Sequence, residues 1–326
     1  VVIQEQGVSL PSFSIRGITD DSGSITSTPR ISVFQDGIDI SKKTVSSVSL
    51  YDIERIEVLK GPQPTLFGAA AANGAVSVIS ARPSNEFEAQ GRFAANSLNG
   101  IDFRGMINTP INDVLAFRLA TVYREQDGQI DNLACGPDSY NPSGFITDAK
   151  GVSKACAGGK LNGVSVAAFR ATLQAELDNT TILFRASMET NDQPGISFKS
   201  GSIAPLNGST NAFSDAELGL GSLIGIERDL SSFDVAITHD VNDKIELTVD
   251  GYIKDVELSE YFDADGTGLR IQDAFFENNA DLSGFGARLV YRSGDRFEGF
   301  VGFSSTQDES VLPFVQLVDP VLRDAF

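Results

Sequence analysis

The chain has 326 residues, with 44 acidic against 25 basic side chains and a formal charge of −19. That balance excludes a nucleic-acid binder, because neutralising phosphates needs clustered Lys and Arg. No leader-like segment and no apolar run of about 18 residues occurs, which excludes transmembrane helices from the sequence in hand. It starts on Val1 without a Met and stops mid-segment on "PVLRDAF", so a fragment of a longer protein is expected.

Residues 1–83 form short apolar runs separated by turn-rich stretches, the pattern of a small mixed domain. In "YDIERIEVLKGPQPTLFGAAAANGAVSVIS", from Tyr51, the side chains of Ile53, Ile56, Val58 and Leu59 are expected to pack a sheet, leaving Glu54, Arg55, Glu57 and Lys60 free for charge pairing. Gly61-Pro62 ends that strand, since Pro brings no N–H to a ladder. Gly68, the Ala69 to Ala72 run and the tight-turn pair Asn73-Gly74 then return the chain into a strand over 76–79.

From Phe87 onward, residues alternate with a period of two, the mark of strands. Odd positions of 115–124 are Leu, Phe, Leu, Thr and Tyr, while even ones include Arg118 and Arg124. Over 244–254, Ile245, Leu247, Val249 and Ile253 oppose Lys244, Glu246, Asp250 and Lys254. Similar alternation at 87–96, 101–108, 165–177, 182–190, 233–239, 284–292 and 297–306 brings the expectation to nine strands. After a short first link, tight turns (TPIND, LDNT, VND, SGD) alternate with long loops over 126–162, 191–229 and 255–281. Short links at one end, long loops at the other and one apolar face describe a transmembrane β-barrel with its apolar face in lipid. In hydrocarbon every backbone polar group must be paired, so such a sheet has to close. A secreted β-sandwich or solenoid would alternate too, but its loops need not, and its outer face would be polar. With no Trp, any aromatic girdle must use Phe and Tyr.

Cys135 and Cys156 share one Gly/Asn/Ser/Pro-rich loop with no His nearby to complete a metal site. A disulfide is the better reading than two free thiols, and it points to an oxidising compartment. The segment 255–281 holds eight acids and one base, Arg270. Within it "DADGTG" at Asp263 has part of a calcium-loop pattern, but the other ligand positions are absent. A solvated outer loop is the main reading, with divalent-cation binding as the alternative; no metal ligand is assigned. An enzyme is not expected. The single His239 sits at the turn end of a strand, AGGKL lacks the Ser/Thr of a phosphate loop, and GLGSLIG at Gly219 lies in a loop.

Four blocks, "FSIRGI" at Phe13, "ISVFQDGIDI" at Ile31, "YDIERIEVLKGPQPTLFG" at Tyr51 and "NGAVSVISARP" at Asn73, resemble in order and spacing the plug domain of TonB-dependent outer-membrane receptors. The all-Ala run departs from the polar and Gly residues more usual there. The resemblance implies a mostly β protein: a mixed α/β plug over 1–83, N-terminally truncated, then the first nine or so strands of a large antiparallel barrel over 84–326, C-terminally truncated. The plug would fill a 22-stranded pore, and completing that pore puts the parent chain at about 700 residues. Arg16, Glu54, Arg55, Glu57 and Lys60 would belong to an ionic latch between plug and barrel. Thr19, Asp20, Asp21, Ser24, Lys42 and Lys43 would lie at plug apices facing the ligand. The implied activity is energised uptake of a scarce nutrient across the outer membrane of a Gram-negative bacterium. A ferric siderophore is the first expectation; vitamin B12, haem, an oligosaccharide or a passive barrel are the alternatives. Its partners would be the inner-membrane TonB complex, through a box upstream of Val1, a small-molecule or metal-chelate ligand and outer-membrane lipid, with no nucleic acid and no cofactor.

Overall fold

The computed structural model describes residues 2–5, 11–17, 30–41, 45, 49–61, 73–141, 144–206, 209–293, 297–311 and 314–317. Two short strands, β1 (Val2–Glu5) and β2 (Pro11–Ser14), pair antiparallel. A four-stranded sheet follows, from β3 (Ser32–Gln35), β4 (Ile38–Asp39), β5 (Ile53–Lys60) and β6 (Gly74–Ser80), in the order β4-β3-β6-β5. Asp36 (φ 53°) and Gly37 (φ 90°) make the β3–β4 turn, where a left-handed pair suits the twist of a hairpin.

The core of this sheet is Ile15, Ile31, Val76 and Val78, with Ile53 against it. A bulge between Ile53 and Arg55 keeps Ile53, Ile56 and Val58 on the face of Val76 and Val78. Yet Ile56 and Val58 are 50% and 38% exposed, because β5 is the sheet edge, and Leu59 turns to the other face beside Ala75. The expectation that all four apolar residues of β5 pack the sheet is therefore corrected. Gly74 is not a turn residue either: it lies in the ladder opposite Lys60 with φ 146°, where a Cβ would collide with the Leu59 carbonyl oxygen.

The second sheet holds nine antiparallel strands in chain order: β7 (Glu88–Ala95), β8 (Ile101–Pro110), β9 (Leu115–Gln126), β14 (Val164–Leu177), β15 (Thr180–Pro194), β16 (Gly225–Asn242), β17 (Ile245–Asp263), β18 (Asp273–Ser293) and β19 (Phe297–Val311). The short β20 (Phe314–Leu317) pairs with β18 beyond the end of β19. Between β9 and β14 the chain makes two small ribbons: β10 (Ile130–Asn132) with β13 (Gly159–Leu161), and β11 (Phe145–Thr147) with β12 (Ser153–Ala155). Among the described residues the sheet does not close into a ring: β7 is one edge, and β19 with β20 the other.

Parity decides the faces. Leu119, Ala171, Ala186, Phe233 and Ile253 stand in one cross-strand row on the outward face, and Leu119, Phe233 and Ile253 in it are exposed. Such a band would cost free energy in water at about 25 cal/mol per Å², a cost that lipid removes. The neighbouring inward row is Arg118, Thr172, Arg185, Asp234 and Tyr252, the first four of them buried.

Strands β16 to β18 run further outward than the apolar band, so 255–281 is mostly strand: only residues 264–272 connect β17 to β18. Alternation continues there with its sense reversed. Val256 and Leu258 point inward and are buried, while Asp255 and Glu257 point outward and are exposed. Past the membrane the outside is water and the inside is protein, so polar and apolar exchange faces. The solvated acidic loop of the sequence reading is corrected accordingly.

Candidate functional site

The inner face of the wall grips the N-terminal domain at a few charged points. Arg118 on β9 donates to Asp52 through Nε (2.8 Å to Oδ2) and Nη2 (2.5 Å to Oδ1). Arg170 on β14 donates to the carbonyls of Tyr51 and Asp52, both at 2.9 Å, and lies 4.8 Å from the centroid of the Tyr51 ring. A guanidinium bonded in its plane and stacked on an aromatic face uses both of its binding modes. Tyr51 is sealed by Ala120, Val122 and Ala168, and burial pushes its phenol up to about 12.

On β15, Arg185 lies 3.6 Å from Asp36 and donates through Nε to Asp234 on β16 at 2.8 Å. Asp36 in turn accepts from the Ser80 amide (2.9 Å) and hydroxyl (2.7 Å), which lock the β3–β4 turn to the end of β6. A third clasp joins the Ser49 amide to Glu189 at 2.9 Å, with Glu189 also bonded to Arg228. Lys254 is buried among the charges of Asp234, Glu189 and Asp36. Arg118 and Arg185 belong to the same inward row, so Asp52 and Asp36 dock on one cross-strand line of the wall. Besides the Tyr51 cluster, a second apolar contact accompanies them, with Val33, Ile40 and Val45 against Leu230, Val256, Ala280 and Leu282. Beside these contacts a gap of 780 Å³ opens between the Asp36-Gly37 turn and wall residues including Thr181, Glu246, Thr248 and Arg288.

The residues expected to latch the two units are Arg16, Glu54, Arg55, Glu57 and Lys60. Arg55 spans Glu54 and Glu57 on an exposed face. Arg16 is exposed at a left-handed turn (φ 56°), and Lys60 is exposed. Among the described residues none of the five has an ion pair with the wall. Asp36 and Asp52 were missed; the signals were the Asp-Gly turn for the first and the inward parity of Arg118 and Arg185 for the wall side. Thr19, Asp20, Asp21, Ser24, Lys42 and Lys43 lie outside the described residues.

The outer loops are packed rather than loose. Cys135 and Cys156 are paired with Cα atoms 5.6 Å apart. Gly221, from the β15–β16 connection, presses on that pair: a Cβ there would stand 2.8 and 3.0 Å from the two sulfurs. The Asn132 side chain bonds the Leu218 amide (2.9 Å) and the Gly221 carbonyl (3.2 Å) of the same connection. Ile130, Leu161, Ala216, Leu218, Leu220 and Ile224 give this cap a core of its own.

Residues 1–75 match the model of the TonB-dependent receptor plug domain. The pesticin receptor of Yersinia pestis is 27% identical over 128 residues, 39% of this chain and 18% of the relative. The ferric enterobactin receptor PirA of Pseudomonas aeruginosa is 29% identical over 107 residues, 31% of this chain and 14% of the relative. The crystal structure of the ferric yersiniabactin uptake receptor FyuA from Yersinia pestis superposes with a TM-score of 0.74 at 16% identity, covering 96% of this chain and 44% of that one. The copper transporter OprC superposes at 0.66, with 13% identity and coverages of 96% and 43%. This chain thus spans less than half the length of each of these relatives.

Proposed function

We propose that this chain, which belongs to the TonB-dependent outer-membrane receptors of Gram-negative bacteria, is the plug and the opening wall strands of a transporter for energised uptake of a scarce nutrient. The plug is assigned to residues 1–83 and the wall to 84–326; the Ser84 amide bonded to Asn108 Oδ1 (3.0 Å) anchors the start of the wall. The observation that carries the reading is the seat of the plug: a few charged clasps and two small apolar patches beside an open gap. A plug held in this way is stable at rest and displaceable by work done on it. An inner-membrane TonB complex would supply that work through a box upstream of Val1. The Thr19–Ser24 and Lys42-Lys43 segments remain the proposed ligand-facing apices.

A ferric siderophore is the proposed substrate, supported by relatives described as receptors for ferric enterobactin and ferric yersiniabactin. The test is uptake of radio-iron siderophores by a receptor-deficient Gram-negative strain expressing the full-length protein, with and without its TonB complex. Uptake that needs both is expected. Uptake independent of the complex would make the protein a passive barrel, and uptake of cobalamin, haem or an oligosaccharide instead would replace the substrate.

A further inference from the structure

Like charges directly opposite on neighbouring strands repel. Asp263 and Asp273 face each other in this way on the last rung of the β17–β18 ladder, and Asp265 in the connection adds a third carboxylate. Ligand atoms of all three lie within 4.8 Å of one another. The group stands beyond the apolar band, on the water side of the membrane, with the outer-loop cap folded against it.

Asp263 accepts from the amides of Gly266 (2.7 Å) and Gly219 (3.0 Å). Asp265 accepts from the Gln272 amide at 2.6 Å and from the Thr267 hydroxyl. Asp273 accepts from Arg270 Nε through Oδ2 at 2.7 Å. Among the described residues its other oxygen, Oδ1, has no hydrogen-bond donor although the side chain is fully enclosed, at 0% exposure. A buried acceptor without a donor is costly, and a bound ion or water is one of the ways in which native structures satisfy such a group. Three carboxylates against one guanidinium leave two negative charges.

We propose that Asp263, Asp265 and Asp273 hold one hard divalent cation, calcium, at the outer end of the β17–β18 hairpin. The donors are all oxygen, with no thiol or imidazole in the group. The half-buried Asp265 leaves a side on which water can complete the shell. A carboxylate-rich loop of this kind favours calcium over magnesium, which demands a tighter octahedron. The cation would bind several outer loops at once. Gly219, from the β15–β16 connection, donates both to Asp263 and to the Thr267 carbonyl, and Arg270 reaches the Thr147 carbonyl in the disulfide loop. The proposal does not depend on the transported substrate.

Calcium chloride titrated calorimetrically into the chelator-stripped, full-length protein in detergent tests it. Saturable binding to a single site is expected, weaker for magnesium, and weakened by about tenfold or more in Asp265→Asn, since charge count sets affinity in such sites. Asp265 is part-exposed in a connection, so that variant should fold; heat-modifiable gel migration checks it. In the same samples calcium should slow protease cleavage within residues 195–224 of the parent and not of the variant. Absence of saturable calcium binding in the parent, or equal binding by the folded Asp265→Asn variant, would overturn the assignment.

Discussion

Arg118 on the wall and Asp52 on the plug form a two-point ion pair in which each side chain is only 10% exposed. Such a pair adds little when intact, but removing one partner strands a buried charge, at a cost of about 3 kcal/mol. Asp52→Ala should therefore loosen the plug's seat, and amide exchange over residues 51–60 should quicken by roughly a hundredfold. Arg118→Ala should act similarly, and the double variant should fall well short of the sum of the two. Unaltered exchange in Asp52→Ala would show that this pair does not hold the plug.

Gly221 has φ 55°, and a side chain there would meet the Ala157 carbonyl oxygen and both sulfurs of the Cys135–Cys156 pair. Gly221→Val is expected to displace the disulfide loop while leaving the wall strands paired. Protease cleavage between residues 136 and 155 on intact cells should rise, with heat-modifiable migration unchanged. Equal cleavage would mean that the loop is held by other contacts.

Non-reducing peptide mapping of protein from outer membranes should recover Cys135 and Cys156 in one linked species. Closing that loop removes roughly 3 kcal/mol of unfolded-state freedom on the chain-entropy model. Reduction should lower the stability of the cap and spare the wall, whose ladder does not include either cysteine. Two free thiols in that map would refute the bond.

Lys42 and Lys43 are adjacent bases in the plug. If they contact an anionic chelate, Lys42→Ala with Lys43→Ala should weaken binding by about 1–3 kcal/mol, the range for charge-assisted hydrogen bonds. Barrel assembly should be unaffected. Unchanged affinity for a ferric siderophore would move the basic pair out of the site and favour a neutral substrate.

The wall was legible because a period of two survives wherever one face meets lipid: all nine strands and the inward turn of Arg118 follow from parity. Its outer reach was not. At Ile253 and Lys254 the alternation changes sense, so Asp255 and Glu257 look like a loop to a reader seeking apolar residues at odd positions, although Val256 and Leu258 keep the rhythm inward. The plug's clasps were hidden for a different reason. Asp52 and Arg118 are 66 residues apart, and parity tells which way Arg118 faces but not what it meets. The charged face of β5 attracted attention because its acids and bases are adjacent, and that adjacency lets Arg55 pair locally with Glu54 and Glu57.

The change of sense along β16 and β17 also gives the molecule a waterline. Outward residues Phe233 and Ile253 sit below it, and Asp229, Asp255 and Glu257 above it, at fixed spacings along ladders whose register is known. Nitroxide labels moved step by step along these outward positions should favour collisions with oxygen below the line and with a water-soluble nickel chelate above it. Because a strand advances by about 3.3 Å per residue, the crossover would fix the immersion depth of the protein to within a residue or two, with no reference to its substrate or partners.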